Sequence, residues 1–401
     1  MLNNLLRLSA RPGYTLSRVI DTLTEPKEVS WEAMGTSTQT SLPFVSGQPL
    51  PRIAMVKQVV YQDLYCCPPH SSVQETIFSS LQRTGPVALF TKLNADFFIV
   101  DVEPDPECNI WKEKCSDCNQ NIPAHYEALI TKPYRNGERG HKHAQGEFSV
   151  RAEEIDWGAY DIVIGFDVPV PARITRLFPQ VVWCYCLSEP CMGSYSRSRK
   201  APVLGYDLFL NQRYRCLPPG THLAPHEIEF PYFLQYYGCF RDLYGSDFVP
   251  PVPEGMMLES HSAAELTSEQ MQQLEEIGTI RSAKGSVESV IMSLMSSKYF
   301  VRLGGRKLWG NAMVEAVAAG CLAIGNPNEY KNKCLFTVDT EADNFSQVLN
   351  KIKLFDSDPA LYEKEVEEQR KRLNYLCYDR PLSDLNRAAN WVRENRSNNS
   401  E

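Results

Sequence analysis

Residues 302–327 read RLGGRKLWGNAMVEAVAAGCLAIGNP. An apolar run, YFVRL (299–303), leads into the doubled glycine, and a second one, CLAIG (321–325), follows an Ala-rich segment. The Ala-rich segment, NAMVEAVAAG, reads as a short buried helix that stops at Gly320, the usual place for a C-terminal glycine. Strand, glycine loop, helix and strand in that order make a βαβ unit. Glycines at a strand end let a ligand approach the backbone closely. The start of the next helix offers free N–H groups and a positive dipole end to an anion. Arg306 and Lys307 add formal positive charge at the same place. The stretch is therefore either a packed βαβ unit or one that also cradles a ligand at the helix start.

Two familiar phosphate motifs do not fit. Gly305 and Gly310 have the glycine spacing of a P-loop, but Asn311-Ala312 stand where Lys and Ser/Thr are required. The dinucleotide fingerprint GxGxxG is absent from both halves of the chain, which argues against a dehydrogenase.

The alternation extends in both directions. Downstream of 255, GMMLES, TIRSA, YFVRL, CLAIG and KCLFTV read as strands, and LTSEQMQQLEEIG, SVESVIMSLMSS and NAMVEAVAAG as helices, with three helices after them. Upstream, IAMVKQVVYQDLY, PVALFTKL, DFFIVDVEP, YDIVIGF, VVWCYCL and GYDLFLNQ read as strands, with VQETIFSSLQ and PARITRLF as helices. Strands alternating with helices imply parallel sheets with right-handed crossovers. The stretch GSDFVPPVPEG holds three prolines and two glycines, which suits a linker. The expected organisation is a lead-in over 1–55, a Rossmann-like domain over 56–245 with an irregular insertion at 104–147, a linker over 246–255, and a second Rossmann-like domain over 256–401. The fold class is α/β, two doubly wound domains facing across a cleft.

The bulk numbers agree with this. A chain of 401 residues exceeds one ordinary core and suits two domains. With 43% hydrophobic and 22% charged residues it has globular composition. The net charge of −8 argues against a wholesale nucleic-acid binder. No run approaches the ~20 apolar residues that span a bilayer. The first 20 residues hold three Arg and no acid, faintly like a transit peptide or a membrane-surface helix. An ordinary amphipathic helix is the preferred reading. Thirteen cysteines, an odd count scattered through apolar strands, read as reduced thiols in a cytoplasmic protein. Cys115-x-x-Cys118 lies in the insertion with His125, His141 and His143, but without a second CxxC it is a weak zinc signal, and no metal or other cofactor is expected.

Residues 256–395 resemble the C-terminal half of GT-B glycosyltransferases, two-Rossmann enzymes that use nucleotide sugars. The match rests on Glu315-Ala-Val-Ala-Ala-Gly320 followed by CLAIG, and on the run of helices from Asn344 to Asn395. It covers about a third of the chain. The resemblance implies that Glu315 binds the donor's ribose hydroxyls. It also implies that Arg302, Gly304, Gly305, Arg306 and Lys307 surround the diphosphate, with Asn311 at the helix start and His261 in the cleft loop as further donor contacts. Many relatives carry a second acid one or two turns before the glutamate. Here those positions hold Asn311 and neutral neighbours.

Transfer also needs a base for the acceptor hydroxyl. Asp167 directly follows the buried strand YDIVIGF, and Glu189 sits in the same way after VVWCYCL; either is a catalytic candidate, and Asp167 could equally cap the next helix. His226, Arg197 and Arg199 are the acceptor candidates, although a charge cluster such as SYSRSRK is more often a solvated face. The implied partners are a nucleotide-sugar donor and a glycan, lipid-linked or other hydroxyl acceptor, with peripheral association at the inner face of a membrane compatible with such an acceptor. A role in surface polysaccharide or glycan biosynthesis follows from the resemblance alone. Two rivals stand beside this reading: a nucleotide-sugar epimerase, and a non-catalytic nucleotide- or sugar-binding protein with a degenerate site.

Overall fold

A computed structural model describes Trp31 and residues 50–58, 95–101, 150–166, 170, 172–187, 206–211, 227–229, 249, 251–259, 266–282, 287–303, 311–329 and 333–398. Within these residues the chain builds two parallel sheets. The first contains β1 (Ile53–Gln58), β2 (Asp96–Asp101), β3 (Val150–Arg151), β4 (Ile162–Phe166), β5 (Val182–Leu187), β6 (Leu208–Asn211) and β7 (Glu227–Glu229). Their order is β3-β2-β1-β4-β5-β6-β7, every neighbouring pair parallel. Strands 1 to 6 follow the Rossmann order.

Burial explains why the sequence signal is strong here. Ile53–Val56, Ile162–Ile164 and Val181–Tyr185 are buried without alternation, as strands covered on both faces must be. Two aspartates pin the register. Asp161, just before β4, accepts a hydrogen bond from Arg52 N at 2.8 Å. Asp207, just before β6, accepts one from Trp183 N, also at 2.8 Å. Trp183 packs edge-on against Trp157, with ring centroids 5.8 Å apart. The short helix α1 (Ala172–Thr175) occupies the β4–β5 connection.

The second sheet contains β8 (Met256–Leu258), β9 (Ile280–Ser282), β10 (Tyr299–Arg302) and β11 (Leu322–Gly325), in the order β11-β10-β8-β9 and parallel throughout. Helices α2 (Ser268–Glu275), α3 (Val287–Met295) and α4 (Asn311–Ala319) alternate with them. A single bridge pairs Gly325 with Glu341 beyond β11. Both faces are covered. Met257, Phe300 and Ala323 share a core with Met313, Val314, Ala316 and Val317 of α4. Met256, Leu258, Tyr299, Val301 and Ile324 pack on the other side with Leu274 of α2 and with Val348, Ile352 and Phe355. Those last three belong to α5 (Phe345–Ser357).

Local chemistry fixes the helix ends. Thr267 and Gln270 form a reciprocal capping box at α2, and Asn344 caps α5 through Gln347 N. Gly320 ends α4 with φ +105°, the left-handed C-terminal residue its position predicts. Gly278 has a different reason to be glycine. The α2 cap is Glu276, in ordinary helical geometry, and a Cβ on Gly278 would lie 3.1 Å from Gly255 Cα. Gly255 itself has φ +61°, and a Cβ there would meet Thr279 O at 2.2 Å.

The strand expected over KCLFTV is absent. Lys333–Leu335 is a 3₁₀ turn, and 338–340 is a turn. The reason lies in helix α6 (Pro359–Asn374), whose Glu365, Gln369 and Arg372 fall on one buried stripe. Arg372 Nη1 donates to Phe336 O at 2.6 Å and Cys334 O at 3.3 Å. Thr337 Oγ1 donates to Glu365 Oε2. Gln369 takes the edge of β11 itself: its Oε1 accepts from Ala323 N and its Nε2 donates to Ala323 O, both at 2.9 Å. Side chains from α6 thus occupy backbone groups that a further strand would have used, and Lys351 Nζ takes the Asp339 carbonyl at 2.7 Å.

Helix α6 continues through a π turn, Tyr375–Asp379, into α7 (Arg380–Asn398). α7 contacts β5 and β7 of the first sheet. Arg396 donates to Val181 O at 3.1 Å and pairs with Asp207 at 2.6 Å, and Arg393 reaches Asp161 at 3.7 Å. The aspartates that set strand register therefore also hold α7. Among the described residues no helix is long and apolar enough to cross a membrane.

Two substitutions test these devices. Gln369→Leu keeps the volume but leaves Ala323 N–H and C=O buried without partners; a loss of about 3 kcal/mol is expected in urea unfolding. Gly325→Ala would place a Cβ 2.6 Å from Arg302 O. Such a clash with backbone should cost about 1–3 kcal/mol, read as a lower urea midpoint with unchanged slope.

Candidate functional site

In an open parallel sheet, ligands sit beyond the carboxyl ends of the strands, where the strand order reverses. The first sheet reverses between β1 and β4. The second reverses between β8 and β10, since the chain passes from β8 to β9 on one side and then to β10 on the other. The carboxyl ends at this second point are Leu258-Glu259 and Arg302-Leu303. The ladder continues one residue past β8, with Glu259 N donating to Val301 O at 3.0 Å.

Three ionisable side chains are enclosed around this point. Arg302 is 1% exposed and ranks among the largest fully buried side chains described. Glu259 is 8% exposed and Glu315 7%. Side chains alternate along a strand. Glu259 and Arg302 therefore follow Met257 and Phe300 onto the face packed by α4, the helix that carries Glu315. None of the three is without a partner. Buried charges are retained only when compensated. Glu259 and Arg302 thus lie on the sheet face that α4 covers, and Glu315 is buried on α4 itself.

Of the residues the sequence singled out, the structure places Arg302, Asn311 and Glu315 in one βαβ unit. Asn311 is the first residue of α4, and Glu315 lies one turn further in. Gly304, Gly305, Arg306 and Lys307 fall between Leu303 and Asn311, outside the described residues, as does His261 between β8 and α2. Asp167, Glu189, Arg197, Arg199 and His226 are also outside them. Their neighbours in the chain are described: β4 ends at Phe166, β5 at Leu187, and β7 begins at Glu227.

Glu259 was not singled out by sequence reasoning. Its signal was available: an acid directly after the first strand of the second half, in MMLES. A carboxylate such as Glu315 accepts two hydroxyl hydrogen bonds at once. α4 has nine residues, enough for a helix dipole at its start. Among the described residues no group of three or more His, Cys, Asp or Glu gathers as metal ligands do. The insertion with Cys115 and Cys118 lies outside them. Cys321 is enclosed, at 1% exposure. Its thiol donates to Leu294 O and Ser297 O, and burial pushes its pKa up to about 12.

No family model matches the chain, and no curated protein matches it. Solved structures do. A glycosyltransferase from Rickettsia africae ESF-5 aligns with 12% identity over 86% of this chain and 99% of that one, with a TM-score of 0.42. The T4 phage β-glucosyltransferase aligns with 11% identity over 86% and 98%, TM-score 0.37. The glycotransferase of kitacinnamycin aligns with 14% identity over 84% and 99%, TM-score 0.38. All three of these solved structures are glycosyltransferases.

Proposed function

We propose that the chain is a glycosyltransferase that moves a sugar from a nucleotide-sugar donor to a hydroxyl acceptor, in glycan or surface polysaccharide assembly. The observation that carries this reading is the enclosed carboxylate of Glu315, on the helix that follows the glycine- and cation-bearing segment 304–307 at the switch point of the second sheet. Glu315 accepts the two ribose hydroxyls. The N–H groups at the start of α4, with Arg306 and Lys307, receive the diphosphate and stabilise its charge as the bond to the sugar breaks. That stabilisation needs no metal. Asp167 or Glu189, each following a strand of the first sheet, removes the acceptor proton, and His226, Arg197 and Arg199 contribute to acceptor binding.

A second reading is favoured by one feature. Asn311 is neutral where many GT-B enzymes carry a second acid, so a nucleotide-sugar-binding protein without turnover remains the competing assignment.

Calorimetric titration with UDP, GDP, CDP, ADP, TDP and CMP tests the donor site. One nucleotide should bind selectively. Glu315→Gln should weaken it by about 2 kcal/mol, roughly thirtyfold in Kd. Unchanged affinity in a folded Glu315→Gln protein overturns the assignment of Glu315. Binding without product across a broad acceptor panel favours the second reading.

A further inference from the structure

By its place in the chain Trp31 belongs with the first sheet. It lies 22 residues before Ile53, where β1 begins, yet it packs on the second unit. Its ring meets Tyr375 edge-on at 5.5 Å and 78°. The Arg372 guanidinium lies over it, 5.3 Å from the ring centroid. It joins the core formed by Met313, Val317 and Leu376 as a partly buried member.

The docking site is not an arbitrary patch. Arg372 is in the last turn of α6, and Tyr375 is the first residue of the π turn. This is where α6 hands over to α7, and α7 runs on to grip the first sheet through Arg393 and Arg396. A π turn replaces i→i−4 hydrogen bonds with i→i−5 ones, here Arg380 N–H to Tyr375 O. Arg372 is already committed to the Cys334 and Phe336 carbonyls, which fixes its guanidinium as a platform. An indole over that platform and against Tyr375 closes the turn from outside.

We propose that Trp31 is a clamp: its indole stiffens the π turn at Tyr375–Asp379 and so sets how firmly α7 ties the two units together. The occupant of the site is this chain's own Trp31. The inference does not depend on the nature of the ligand or on catalysis.

Hydrogen exchange on the full chain tests it, comparing the parent with Trp31→Ala and Trp31→Phe. An edge-on aromatic contact and a cation–π contact together are worth roughly a tenfold change in local opening. Amides of 375–380 should exchange roughly tenfold faster in Trp31→Ala. Those of β8, β10 and β11 should keep their rates, and Trp31→Phe should recover most of the protection. Unchanged exchange at 375–380 in Trp31→Ala overturns the proposal. So does a uniform acceleration across the second sheet, because Trp31 would then be an ordinary contributor to global stability.

Discussion

Gln369 holds Ala323 by both its backbone groups, and much of the molecule follows from that grip. One side chain does for β11 what a neighbouring strand would do, within a sealed layer where an unmet N–H or C=O is costly. Because Gln369 sits on α6, the grip fixes the helix against the sheet edge. Glu365 and Arg372, on the same stripe, then organise 333–340 around it. Once α6 is placed, the π turn and α7 are aimed, and α7 delivers Arg393 and Arg396 to the first sheet. The two units are thus linked through a line of polar contacts that starts inside the second core.

The candidate site depends on a different constraint. A parallel sheet that reverses its strand order leaves a gap between crossover helices at one edge only. In the second sheet that edge receives Glu259, Arg302 and, from α4, Glu315. Enclosing three charges costs desolvation energy, so their presence is poor evidence for stability as such.

Much of this was legible in the sequence. Strands covered on both faces are continuous apolar runs, so DIVIGF, VVWCYC and YFVR announce themselves, and the βαβ unit over 299–325 was read correctly. Gly320 was legible because a left-handed residue after a helix has few alternatives. What failed was nonlocal. KCLFTV has every mark of a strand, but its carbonyls are taken by Arg372, some 36 residues later. β3 and β7, two and three residues long, carry too little pattern to be seen. Asp161 and Asp207 look like ordinary turn residues until the backbone N–H each receives is known. Glu259 was passed over for a neighbouring histidine, because a lone acid after a strand gives no sign of being enclosed.

The pairing of Arg396 with Val181 and Asp207 has a temporal side. The contact with Val181 joins positions 215 residues apart. At about 5–20 residues per second, synthesis of that interval takes roughly 10–40 s. Throughout that time the first sheet exists without the helix that covers β5 and β7 and without the cation that balances Asp207. The cover of β5 and β7 is therefore added only once α7 has been made. A first sheet begun near residue 53 is thus completed by α7, the last helix described.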